Sequence, residues 1–200
     1  MIKFQRIPQL ETPGSGLPSP ELFIGKMGLA LYRSVISHHG ATTWFKSESQ
    51  QLIALASSVS EVVGKQRVLI RRVVGIEDSS RFWSVFMVLD HLLIADRLTI
   101  KIMESLSATK EFPQQIRIED TKPLPDRGEE VIAEFQQLVE DYVLCLEKIT
   151  RWHSQQSHPH PWFGPLNIHG WHCFTAFHHF IHRRQLHKII QTLANVRVHC

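Results

Sequence analysis

The chain has 200 residues, 43% hydrophobic and 20% charged, the proportions of one ordinary folded domain with enough apolar residues for a real core. Its formal net charge is +3, and its Lys and Arg residues are scattered, with no basic stripe interleaved with aromatics, so nucleic acid is not expected as the main partner. No apolar run reaches the roughly 18 residues of a membrane span, residues 1–16 lack the apolar core of a signal peptide, and the three cysteines show no CxxC spacing, so the expectation is a cytoplasmic protein with reduced thiols.

Residues 1–19 read as an irregular arm, broken by Pro8, Pro13, Gly14, Gly16 and Pro18, ahead of a single domain over 20–200. A helix is expected to start near Ser19–Pro20, with proline at an early helical position, and to break near Gly40. A second helix is expected from Thr43 to Val63, where Leu52, Leu55, Ala56, Val59, Val62 and Val63 recur at helical spacing and Gly64 serves as the stop. QRVLIRRVVGIED (66–78) is short and β-branched and reads as a strand-like connector. The clearest helix is DSSRFWSVFMVLDHLLIADRLTIKIMESLS (78–107), with Asp78–Ser80 offering an N-cap.

Residues 108–127 contain three prolines and no clean period, which predicts a long surface loop. A helix is expected from Gly128 to His153, with Val131, Phe135, Leu138, Val139, Tyr142, Leu146 and Ile149 as its apolar stripe. SQQSHPHPWFGPLN (154–167) reads as a second, proline-stiffened loop, and the last helix is expected from His169 to Val196. Helix follows helix with almost no alternating segment, so the expected fold is all-α, a four-helix bundle with one additional N-terminal helix.

Histidine is the compositional outlier: 13 are present and ten follow residue 150. FHHFIHRRQLH (177–187) alone holds four. A helix advances about 100° per residue, so His178 and His182, four apart, share a face with Phe174, Leu186 and Ile189, and that mostly apolar face should point inward. His172, His179 and His187 fall on another stripe with Arg183, which reads as solvated. His91 is flanked at helical spacing by Met87, Val88, Ile94 and Ala95, so it too should point inward. A buried imidazole without partners costs about 1–3 kcal/mol, so each inward ring needs a hydrogen-bond partner or a metal. Three neutral imidazoles suit Zn2+, Ni2+, Fe2+ or Mn2+ and leave coordination positions open. The bland alternative is that each ring is satisfied by a carbonyl or carboxylate.

Other catalytic patterns fail: there is no GxSxG, P-loop, GxGxxG or HExxH. Cys173 lies about 140° round the helix from His178 and reads as a packed thiol, as does Cys145, while Cys200 is terminal. Gln185 is a candidate outer partner of the site, and Asp90, adjacent to His91, points away from it. His158 and His160 are expected in a surface loop, with His160 a candidate for the pocket rim and Trp162, Phe163 and Trp171 pinning the loop to the bundle.

Three segments together resemble the DinB/YfiT-like superfamily of metalloenzymes, over roughly residues 45–195. They are HxxxHRxQ from His178 to Gln185, the Trp83-Ser84 start of the helix that carries His91, and the loop residues His160, Pro161, Phe163, Gly164, Leu166 and Trp171. The resemblance implies an up-down four-helix bundle with a three-histidine metal site, its ligands by position His91, His178 and His182. It further implies a thiol-dependent transferase or a related enzyme using a small-molecule thiol cosubstrate, and a homodimer. The chain departs from the pattern at Arg184, where glycine is usual, and in its longer N-terminal arm and helix. Two functional readings follow. One is a metal-dependent transferase or hydrolase of a small-molecule substrate; the other is a non-catalytic metal-binding or stress-response bundle acting as a dimeric scaffold. A loose metal buffer would instead recruit His172, His179 and His187 equally.

Overall fold

The computed structural model describes residues 8–198. Helix α1 (Ser19–Val35) carries Pro20 and Glu21 in its first turn, where a missing N–H and a negative charge are both tolerated. It ends at the extended residue Ile36, not at Gly40, because the Ser37 hydroxyl caps a new helix by accepting the Gly40 N–H at 3.1 Å. Gly40 thus lies in the first turn of α2 (His38–Ser57), where a Cβ would come within 2.7 Å of the Ile36 side chain. The apolar stripe that predicts one helix to Val63 is broken at residues 58–60, and Glu61–Gly64 form the short separate helix α3. Gly64 does more than stop a helix: a Cβ there would fall 2.2 Å from the Phe86 ring.

The ambiguous connector does become a strand. Strand β1 (Val68–Leu69) pairs antiparallel with β2 (Phe82–Trp83), which removes Phe82 and Trp83 from the helix expected to contain them. Asp78–Ser80 form a 3-10 turn, and the cap of α4 (Val85–Ser107) is Ser84, whose hydroxyl accepts the Met87 N–H. Helix α5 (Glu130–Glu147) stops six residues short of His153. The proline-rich segment before α6 (Ile168–Val198) is a small antiparallel hairpin, β3 (His158–His160) with β4 (Gly164–Leu166), rather than an irregular loop.

Helices α2, α4, α5 and α6 close a ring of neighbours: α2 against α6 and α5, and α4 against α5 and α6. Helix α1 lies outside the ring against α6. No helix among the described residues is long and apolar enough to cross a membrane. The interior has two apolar clusters. One gathers Leu52, Phe86, Leu89, Phe135, Leu186 and Ile189; the other gathers Phe45, Met103, Tyr142, Trp171 and Cys173. Between them along the helices fall Ser49, Asp96 and His179, a buried polar layer.

Phe135 is fully buried, whereas Leu144 on the same helix is 52% exposed. Phe135→Ala is expected to lower unfolding free energy by about 3–5 kcal/mol, and Leu144→Ala by less than about 0.5 kcal/mol. Urea denaturation of the two variants against the wild type measures both.

Candidate metal centre

Helix α4 presents His91 and helix α6 presents His178 and His182 one turn apart. One ring nitrogen from each lies within 4.8 Å of the others. The outer nitrogens are engaged. His91 Nδ1–H donates to the Thr121 carbonyl at 2.6 Å, which leaves its Nε2 with a lone pair. His182 Nδ1–H donates to Gln185 Oε1 at 2.7 Å, and Gln185 Nε2 donates in turn to the Ser80 carbonyl at 2.7 Å. Carbonyl and carboxamide partners of this kind set the tautomer and orient the ring of a ligating histidine.

His178 stacks on Phe174, with ring centroids 5.2 Å apart, and its Nε2 lies 3.2 Å from His91 Nε2. Two facing imidazole nitrogens need a shared proton or a cation between them. A tetrahedral cation about 2.0–2.1 Å from each nitrogen would hold such a pair about 3.3 Å apart. The donor set therefore fits a divalent metal, and the three-histidine cluster could hold one.

Burial lowers the basicity of all three rings. His91 is pushed down to about 4, chiefly by desolvation. His178 and His182 are held well below the usual imidazole range by desolvation first and by a neighbouring imidazole second, that of His182 for His178 and that of His91 for His182. All three are thus neutral at neutral pH, the protonation state that ligates.

The loops that hold the outer nitrogens are themselves anchored. Asp90, one residue from His91 but facing away, accepts the Leu124 N–H at 2.8 Å and ion-pairs with Arg127 at 3.3 Å, so it secures the segment carrying Thr121. Lys122 Nζ donates to Glu77 Oε2 at 2.8 Å and to the Ser79 and Ser80 hydroxyls at 2.9 and 3.0 Å. Glu77 also accepts the Gly16 N–H of the arm at 3.0 Å, and Glu21 of α1 accepts from Gly75 and Arg72.

The site opens into a cavity of 590 Å³ whose lining includes the three histidines, Glu77, Lys122 and His160. The Glu77–Lys122 pair is not legible in the sequence, since both residues sit in aperiodic segments 45 positions apart.

Three expectations about the other histidines are overturned. His172 and His179 are fully buried, not solvated, because the stripe they share with Arg183 packs against α2 and Arg183 is neutralised by Glu48 of that helix. The Thr42 hydroxyl donates to the His38 carbonyl, so its oxygen accepts His172 Nε2–H at 3.0 Å, while the Tyr142 hydroxyl donates to His172 Nδ1 at 3.2 Å. His179 Nε2 lies 2.6 Å from Asp96 and its Nδ1 3.0 Å from Ser49 Oγ. The lining of the 590 Å³ cavity does not include Ser49 or His179, so this serine–histidine–aspartate set reads as core structure. Third, His158 and His160 are buried in the hairpin, not placed on a surface loop. His160 Nδ1 accepts the Trp162 and Phe163 N–H groups at 3.1 and 3.4 Å, so its Nε2 carries the proton and is not free to ligate. His187 is exposed, as expected. Burial pushes the Cys145 thiol up to about 11 and Cys173 up to about 12, which keeps both protonated and unreactive; Cys200 lies outside the described residues.

No family model and no curated protein matches the chain. A solved structure described as TT2238, a four-helix bundle protein, is similar with a TM-score of 0.54 and 19% identity, over 76% of this chain and 98% of that one. The chain has a four-helix-bundle fold.

His160 and His172, both outside the three-histidine set, are each held down to about 3 by burial, against about 6.5 in an unfolded chain. Below pH 6.5 the unfolded chain takes up protons that the folded chain refuses, so stability present at neutral pH is lost as pH falls toward 3. Each such histidine steepens the loss by up to about 1.4 kcal/mol per pH unit. Denaturant midpoints of metal-free protein are expected to fall between pH 7 and pH 5, and the decline to be shallower in His172→Gln.

Proposed function

We propose that this chain is a DinB-like metalloprotein, an up-down bundle that binds one divalent cation, Zn2+, Ni2+, Fe2+ or Mn2+, through His91, His178 and His182. We read it as a metal-dependent transferase or hydrolase of a small-molecule substrate, with a low-molecular-weight thiol as the cosubstrate in the transferase case. One observation carries this reading: three imidazole nitrogens converge at a cavity wall while the outer nitrogens of His91 and His182 are committed to Thr121 and Gln185. A divalent ion held by His91, His178 and His182 would supply Lewis acidity, the chemistry that activates a thiol or water at neutral pH.

The residues of the chain do the rest. Thr121 and Gln185 hold the ligating rings in one tautomer, Lys122 and Glu77 place a fixed charge pair in the same cavity, and His160 forms part of its wall. Elemental analysis of untagged protein is expected to give about one metal per chain, lost in His91→Ala and in His178→Ala. Gln185→Ala is expected to weaken affinity by about 10–100-fold without abolishing it. Metal content that survives His91→Ala and His178→Ala would sink the reading, and a loaded site that turns over no thiol or ester substrate would favour the non-catalytic scaffold.

We also propose a homodimer. Phe23, Met27, Leu31 and Val35 recur every fourth residue on α1 and are all more than half exposed, forming an apolar stripe of the kind that marks an interaction surface. Light scattering is expected to give twice the chain mass for the wild type and a monomer for Met27→Glu/Leu31→Glu.

A further inference from the structure

The cavity beside the three histidines has an uneven lining. Around the histidines it is polar: Thr121 bonds His91, while Ser80 and Glu77 both bond Lys122. Of the polar residues farther along, Thr99 donates to the Ala95 carbonyl, His160 Nδ1 accepts the Trp162 and Phe163 N–H groups, and Glu21 accepts from Arg72 and Gly75, so their bonding capacity is largely taken within the protein. Away from the histidine end the walls turn apolar in a direction the helices define. On α4 the lining continues from His91 to Ala95 and Leu98, one and two turns on. On α6 it continues from His178 back to Phe174 and Trp171, again one and two turns. Two turns are about 10 Å of helix, so the histidines stand at the head of an apolar trough about that long. Ile116 and Ile118 of the loop, Phe163 of the hairpin and the exposed Ile24 of α1 complete it.

A volume of 590 Å³ is ample for a ligand of ordinary small-molecule size. The trough is rich in aromatic and branched side chains and poor in hydrogen-bond partners. A polyhydroxylated body would therefore bury hydroxyls without partners, whereas an alkyl or aryl body would lose only water.

We propose that this site takes an amphiphilic substrate: a compact polar head of the kind that ligates a divalent cation, a thiol or a carboxylate, on an alkyl or aryl body that fills the trough. The inference rests on the three-histidine reading for its head group and on the wall residues for its body. It makes Ala95, Leu98, Ile118 and Phe174 specificity-determining residues. It also disfavours sugar-like thiols as the cosubstrate that occupies the trough.

The test is calorimetric titration of the full chain, metal-free and Zn2+-loaded, with straight-chain alkanoates from butanoate to decanoate. Affinity is expected to rise about fourfold per added methylene until the trough is full, in both forms of the protein. The loaded form is expected to bind each acid more tightly than the matching primary alcohol. Ala95→Trp narrows the trough and Ile118→Glu charges its wall; both are expected to flatten the chain-length dependence while leaving metal content at the wild-type level. An affinity independent of chain length in both forms would overturn the proposal, even if the acids still prefer loaded protein. A full chain-length dependence with no preference for loaded protein would instead support the trough and remove the metal reading beneath it.

Discussion

Two backbone carbonyls govern the centre of this molecule. Each imidazole has two nitrogens, and a buried nitrogen left without a partner costs free energy. The Thr121 carbonyl takes the outer proton of His91; the Ser80 carbonyl, acting through Gln185, takes that of His182. Once those protons are placed, the inner nitrogens of His91 and His182 present lone pairs, and His178 Nε2 meets that of His91 at 3.2 Å. Facing lone pairs repel unless a proton or a cation lies between them. The rest of the architecture keeps those carbonyls in position: Asp90 secures the segment after Thr121, and the Lys122–Glu77 pair ties that segment to the Ser80 turn.

The same accounting explains why so many histidines fit inside a bundle of this size. His172 is closed between Thr42 and Tyr142, and His179 between Ser49 and Asp96. Ser49, Asp96 and His179 form a polar layer between the two apolar clusters, and apolar contacts tolerate a shift of one helix along another more readily than hydrogen bonds do. In a layer with fixed donors and acceptors, a shift of one turn would leave buried groups unpaired. Specifying the register of α2, α4 and α6 is a structural role for histidines that have no place in the cavity.

The arm and α1 connect the surface to this interior. Glu21 grips the Gly75 turn from α1, and Glu77 is bonded by the Gly16 N–H of the arm while holding Lys122. These carboxylate contacts add to the apolar packing of α1 on α6, where Leu29 is buried and Tyr32 packs against the core.

Local pattern was enough for the helical periodicity, the i, i+4 relation of His178 and His182 and the apolar flanks of His91, because those depend on helix geometry and composition alone. It also carried Gln185 as a partner one turn from the site. Boundaries set by competition between adjacent caps were not legible: Ser37 and Ser84 prevailed over Gly40 and Asp78–Ser80, and pairing with Val68–Leu69 drew Phe82–Trp83 into a strand. The burial of His172 and His179 was decided by the tertiary structure, because a stripe carrying Arg183 looks solvated until Glu48 of another helix neutralises it. The Thr121 and Ser80 carbonyls, the Lys122–Glu77 pair and the apolar trough were likewise beyond the sequence, since each joins residues from segments whose spacing carries no period. A single helix can encode which way a histidine faces, but what it meets there is set by the packing of the other segments.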